Sequence, residues 1–466
     1  MERMGLLRRL AKQTCGLAAV SLSLAGCHPW STSVIYAPQP LQLPQPKSVL
    51  HHESAIATEK KSLPAGPLTL QDLERLAEQN RPDLAAAYAQ AEAARGLFIQ
   101  EGLYPNPMLA YQGQEINNPE NRLGFQGMMA SQEIVTAGKL RLAQTAAAHG
   151  VTAANWQAVT QRFNVLTRVR LAFFETLTAQ RELETTQQIV KLSQELLEAA
   201  RTAERAGIGA RPDVLRAEVE LNQSQIRLAV AEQRAEAAWK LLALAVGMPD
   251  LPPQPLAGSL DDAVPQYDWQ AISLAALIRS SEVQAAQAGV LQSEWALRRA
   301  LVEPIPNVMV QGGPMYSFPD QATEANLQVG VNLPVFNKNQ GNILTAQAQL
   351  AAAQQQVRNV ELRLLERLTQ AFQAYQASQR QVELYQKDIL PRAAESLRLV
   401  QIGYKAGDAK FDYTSVLQAQ QILIQARLAA IQAQGDLWRA VVEIAGTVQE
   451  EELNPAPPAA LPPAAK

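Results

Sequence analysis

The chain has 466 residues, 47% of them apolar but only 5% aromatic, and a formal net charge of −3. That mild acidic balance, without a phosphate-binding basic patch, speaks against nucleic acid as a partner. Alanine and glutamine crowd the middle of the chain, which suits long helices packed through small side chains.

At the N-terminus Arg3, Arg8, Arg9 and Lys12 flank an apolar run, Cys15 to Gly26, that is too short to serve as a membrane span. Residues 1–26 therefore read as an export signal. Leu24-Ala25-Gly26-Cys27 resembles the bacterial lipobox, which marks Cys27 for lipidation; by the same resemblance, His28 in place of an aspartate favours sorting to the outer membrane. Removal of the signal takes four basic residues and one acidic, leaving 37 against 43, and leaves Cys27 as the remaining cysteine. A disulfide within the mature chain is thereby excluded. Residues 27–67 hold "APQPLQLPQPKS" and read as a proline-rich tether.

Beyond the tether the chain is a tandem duplication with an offset near two hundred residues. Ala172-Phe173 answers Ala371-Phe372, Ala179 to Arg181 answers Ser378 to Arg380, Arg205 to Gly207 answers Lys405 to Gly407, and Trp239 to Gly247 has the spacing of Trp438 to Gly446. The copies occupy 68–248 and 272–448, each predicted as helix, two strands, long helix, helix. A linker, 249–271, joins them, and the proline- and alanine-rich tail 449–466 is expected to be disordered.

Two segments carry the strand pattern, near 107–134 and 307–334. In "ANLQVGVNL", Leu327, Val329, Val331 and Leu333 alternate with Asn326, Gln328, Gly330 and Asn332, as an apolar-out, polar-in wall requires. Met108, Met128, Met129, Met309 and Met315 fall in or beside these strands. Thioethers suit copper(I) or silver(I), but in a barrel wall methionine is more often apolar filler. His51-His52 lacks ligand spacing, so no metal site and no cofactor is expected.

Each hairpin precedes a long helix. Lys139 to Arg205 contains no proline and one glycine, and spans roughly 100 Å at about 1.5 Å per residue. Leu192, Leu196, Ala199, Ala203 and Ala206 step by four and three and predict its packing stripe. The second copy, Asn342 to Ala406, contains Pro391, which should end or kink it. Helices this long need neighbours, from the same chain or from others. Two hairpins supply four strands, too few to close, and an open edge in lipid is costly; three copies would supply twelve, an even number within the known range of such barrels. A small soluble sheet capping a helical bundle is the competing arrangement.

The duplication, the Thr136 to Lys139 turn after a strand, the Leu333 to Phe336 turn and the "G…VLxA…G" pattern in both halves resemble the TolC family of outer-membrane efflux proteins from about Leu68 to Val448. The resemblance implies a mainly α fold with a transmembrane β-barrel: a homotrimer whose twelve-stranded barrel sits in outer-membrane lipid and continues as a periplasmic helical tunnel. It further implies an inner-membrane pump, of the RND type, and a periplasmic adaptor that opens the far tip. In that picture the turns at Gly207 and Gly407 form the tip, and Arg205, Asp213, Lys405, Asp408 and Lys410 hold it shut or grip the adaptor. Ser415 and Gln418 stand where relatives often carry acidic rings, a departure that argues against a cation-binding gate. The alternative, a periplasmic adaptor lipoprotein, would show one helical hairpin inserted into β-rich domains. An enzyme would need a convergent catalytic set, and the chain has no "GxSxG", no zinc-type histidine pair and only His149 inside the folded region.

Overall fold

A computed structural model describes residues 66–117, 123–207, 209–406 and 410–453, apart from the side chain of Lys405. The first copy holds β1 (Leu68–Thr69), α1 (Leu70–Asn80), α2 (Pro82–Glu101), β2 (Met108–Gln114), β3 (Phe125–Ile134), α3 (Lys139–Arg205) and α4 (Arg211–Val246). The linker holds β4 (Leu256–Ala257), and the second copy follows with α5 (Trp269–Arg279), α6 (Ser281–Val302), β5 (Val308–Ser317), β6 (Ala322–Val331), α7 (Gln340–Leu384), a π-helical turn (Tyr385–Ile389), α8 (Leu390–Lys405) and α9 (Tyr413–Val448).

The expected first helix of each copy is two helices. Pro82 starts α2 behind the extended residue Arg81, and Ser280, whose hydroxyl accepts from Val283 N, caps α6. The long α3 runs from Lys139 to Arg205 without a break. Its stripe differs from expectation. Ser193, Leu197 and Ala200 are buried, while Ala199 and Ala206 are exposed. Leu197 and Ala200 pack with Val214 and Ala217 of α4, and Leu192 and Leu196 pack on the other side against α8 and α9. A helix with neighbours on two flanks buries two stripes.

Near the strands the helices lie side by side in the order α2, α3, α6, α7; farther away the order is α4, α3, α9, α8. The strands repeat this four-wide arrangement as an antiparallel sheet, β2-β3-β5-β6. Each element therefore has a neighbour inside the strip, and among the described residues the outermost ones have a free flank.

The main core lies where α1, α3, α4, α5, α7 and α9 meet the inter-repeat linker. Trp438 stacks on Phe174 with ring centroids 4.3 Å apart. Trp239 and Trp438 donate their indole N–H groups to Leu251 O and Leu260 O, each at 3.0 Å, so both repeats grip the same linker. The linker is ordered: β4 pairs in parallel with β1, and Leu251 and Leu260 are buried. Gly247 ends α4 with a φ of +83°, but its sequence counterpart Gly446 lies inside α9, where an added Cβ would meet Thr167 Oγ1 at 2.3 Å. One needs a left-handed backbone; the other lets two helices approach.

Residues 449–453, assigned to the tail by composition, are bonded to the fold. Buried Arg170 donates to Glu450 O and Glu451 O at 2.9 and 2.6 Å, Arg162 pairs with Glu78 and Glu451, and Leu453 is buried. These bonds hold the end of α9 against α1 and α3, which composition alone does not foretell. Burial pushes the Glu74 carboxyl up in spite of Arg170 beside it. Cys27, the tether as far as residue 65 and residues 454–466 lie outside the described residues.

Candidate functional site

Strand register sorts the sheet into two faces. Along the rows fixed by Leu109↔Ala130, Ala130↔Gly312 and Gly312↔Leu327, one face collects Leu109, Tyr111, Met128, Ile134, Val308, Val310, Leu327, Val329 and Val331. Most of these side chains are exposed, Leu327 by 75%. The opposite face carries Gln112, Ser131, Glu133, Gln311, Asn326 and Gln328, with Gln311 and Gln328 hydrogen-bonded across the ladder. An exposed apolar face backed by a polar one is the arrangement of a wall between lipid and water.

Four of the five strand methionines, Met108, Met129, Met309 and Met315, fall on the polar face. Met315 stands opposite Gly127 and Met129 beside Gly313, so the buried side chains fill space that the glycines leave. Among the described residues no group of three or more His, Cys, Asp and Glu is placed to hold a metal. Among the described residues, the outer strands β2 and β6 each have one unpaired edge.

The sheet joins the helices through a buried lysine. Lys139 is 4% exposed, and its Nζ donates to Ile305 O at 2.7 Å and Asn307 Oδ1 at 2.9 Å. Asn307 Nδ2 donates to Glu133 Oε1 at 2.8 Å, and Thr136 Oγ1 donates to Pro306 O at 2.6 Å. The turn after β3 is thereby tied to the segment that leads into β5.

At the opposite end lie the two helix-to-helix turns. Arg205 is the exposed last residue of α3, and Gly207 turns the chain in open space with a φ of +74°, a left-handed backbone that glycine adopts without strain. Asp213 sits in the first turn of α4, 3.5 Å from Arg216. Lys405 ends α8, Lys410 is exposed just before α9, and Gly407 and Asp408 lie outside the described residues. Sequence reasoning missed the residues that bridge the turns. Arg216 Nη1 donates to Thr414 Oγ1 at 3.0 Å, linking α4 to α9. Tyr404 and Tyr413 meet edge to face beside Asp213; burial, reinforced by the neighbouring Tyr404 and Asp213, pushes the Tyr413 hydroxyl up to about 12.

Ser415, noted for the carboxylate it lacks, has a defined place. Its N–H and hydroxyl both donate to Asp412 Oδ1, at 2.8 and 2.6 Å, which caps α9 and holds the Asp412 carboxyl below its ordinary value. The signal was legible as an Asp three residues ahead of a serine at a helix start.

A family model described as outer membrane efflux protein matches residues 73–248 and 273–447, one span in each repeat. The cobalt-zinc-cadmium resistance protein CzcC of Cupriavidus metallidurans is 26% identical over 392 residues, covering 82% of this chain and 90% of its own. The outer-membrane channel OprN superposes with a TM-score of 0.69 at 21% identity, covering 81% of this chain and 89% of that one. The MtrE outer-membrane channel of Neisseria gonorrhoeae, solved in its open state, does so with 0.69 at 20% identity, covering 81% and 88%. These likenesses carry the fold, a β-barrel continued by a helical tunnel. With the family match falling on both copies of the duplication, the chain belongs to the outer membrane efflux protein family, the outer-membrane channels of tripartite efflux systems that extend into the periplasm.

Proposed function

We propose that three copies of this chain close a twelve-stranded barrel in the outer membrane and continue it as a tunnel toward a periplasmic adaptor and an inner-membrane pump of the RND type. The observation that carries this reading is the four-stranded sheet with both edges unpaired and one apolar face exposed. In hydrocarbon each unpaired backbone group costs several kcal/mol, and cyclic pairing of β6 with the β2 of a neighbouring copy satisfies all of them. The edge helix α4 supports the same assembly: Leu215, Val219, Ile226 and Val230 form an exposed stripe that none of the described residues covers.

Such a duct performs no bond chemistry. Its polar face borders water, and the pump supplies the free energy. The tip comprises Arg205, Gly207, Asp213, Lys405, Gly407, Asp408 and Lys410, which contact the adaptor, and Cys27 carries the lipid anchor. Similarity to CzcC along most of the chain supports divalent transition-metal cations as cargo. The test is twofold. Purified protein in a planar bilayer is expected to give stepwise conductance, and deletion of its gene is expected to sensitise cells to zinc, cobalt and cadmium. Absence of conductance contradicts the duct; conductance with unchanged metal sensitivity contradicts only the cargo.

A further inference from the structure

The two repeats are not equal in their long arms. Their buried positions correspond at an offset of 199 through Val165 and Leu364, Val169 and Leu368, Thr176 and Tyr375, and Ala179 and Ser378. Beyond that the offset is 200, as in Ser193 and Ala393, and Leu197 and Leu397. The second copy therefore holds one extra residue between Ser378 and Ala393. The π turn at Tyr385–Ile389 lies inside that interval, and Leu390 N donates to Tyr385 O, five residues back. In the first copy the same stretch of α3 is unbroken α-helix.

The extra residue dictates the local geometry. Inserted into a regular helix, it would rotate everything beyond it by about 100° at 3.6 residues per turn and carry Ala393 and Leu397 off their partners in α9. A π turn absorbs the residue locally and keeps both flanking stripes in phase. Pro391 contributes, because it has no N–H for the Lys387 carbonyl and its ring presses on that carbonyl.

We propose that this π turn is a pivot about which α8, with the tip turn beyond it, swings on α7; the inference rests on the duct reading and locates a joint within it. Three observations support a joint here. No residue of the π turn is buried, although the segments on both sides are anchored by Ser378 and by Ala393 and Leu397. The turn borders a cavity of about 270 Å³, lined by Tyr385 and Gln386 together with Arg181, Asp261, Arg427 and Gln434, which gives it room to move. The ladder of helical hydrogen bonds is already interrupted at Pro391, so bending breaks fewer of them. Of the two tip turns, only the second sits on a jointed arm.

The duplication supplies its own control. In the full-length oligomer, amide hydrogen exchange over 384–392 is expected to run at least about tenfold faster than over 184–192, the corresponding stretch of α3. Equal rates overturn the proposal. Deletion of Gln386 removes the extra residue; it is expected to equalise the two rates and to lower export several-fold while the oligomer still forms. Equalised rates with export at the wild-type level also overturn the pivot and leave the duct reading standing. Should that deletion prevent assembly, Pro391→Ala, which restores the N–H at unchanged length, is expected to slow exchange over 384–392, and an unchanged rate counts against the joint. A wild-type protein that forms no pore sinks the duct reading instead, without touching the exchange comparison.

Discussion

The Lys139 ammonium lies 2.9 Å from Asn307 Oδ1, so the start of the first repeat's long helix is bonded to the residue just ahead of the second repeat's first strand. A buried ammonium stripped of its acceptors is far costlier than an exposed one. Lys139→Met is expected to destabilise the assembled barrel by about 1.5–3 kcal/mol, the worth of hydrogen bonds to a charged group. Asn307→Ala acts in the same direction, because it leaves the ammonium short of an acceptor. Both should lower the temperature at which the oligomer dissociates on a gel; unchanged temperatures would mean that the clamp does not stabilise the barrel.

Two sheet glycines face backbone at distances that no side chain tolerates. A Cβ at Gly127 would meet Pro314 O at 2.2 Å, and one at Gly313 would meet Met128 O at 1.9 Å, whereas Gly330 has nothing within 4 Å. Gly127→Val and Gly313→Val should therefore prevent barrel assembly, and Gly330→Ala should not. The readout is the yield of heat-modifiable oligomer in outer-membrane fractions.

The cap of α9 has a pH signature. Hydrogen bonds from Ser415 lower the Asp412 carboxyl, so the unfolded chain binds more protons than the folded one below the ordinary value of 3.8. The stability this gives is complete above 3.8 and is lost as pH falls through the folded value. Asp412→Ala should loosen the tip at neutral pH, because the first turn of α9 loses its capping acceptor, and Asp412→Asn, which still accepts, should do so less and without the acid dependence. Amide exchange over 412–418 at two pH values separates the outcomes.

At the tip, Lys405→Glu and Gly407→Pro are expected to lower export while leaving barrel assembly intact. Arg216→Ala removes the bond to Thr414 and should raise the resting conductance. Wild-type resistance and conductance in all three variants would count against placing the tip at these turns.

Much of this architecture is written in local pattern. Gly138 and Gly207, both with a left-handed backbone, bracket α3 at Lys139 and Arg205, and period-two alternation puts Leu327, Val329 and Val331 on one face. Features set by partners are less visible. Periodicity reveals that α3 has an apolar side, but not that Leu192 faces α8 and α9 while Leu197 faces α4. Residue counting offered the offset between repeats, yet only the burial of Ala393 and Leu397 shows that the extra residue is absorbed in one turn. The bonds from Arg170 to Glu450 and Glu451 join residues 280 positions apart or more, beyond the reach of any window along the chain.

The mass of the detergent-solubilised particle tests the central claim most directly. Three chains per particle, with β2 of one copy paired to β6 of the next, is the expected result; a particle of one chain, its sheet edges covered by its own helices, would contradict it.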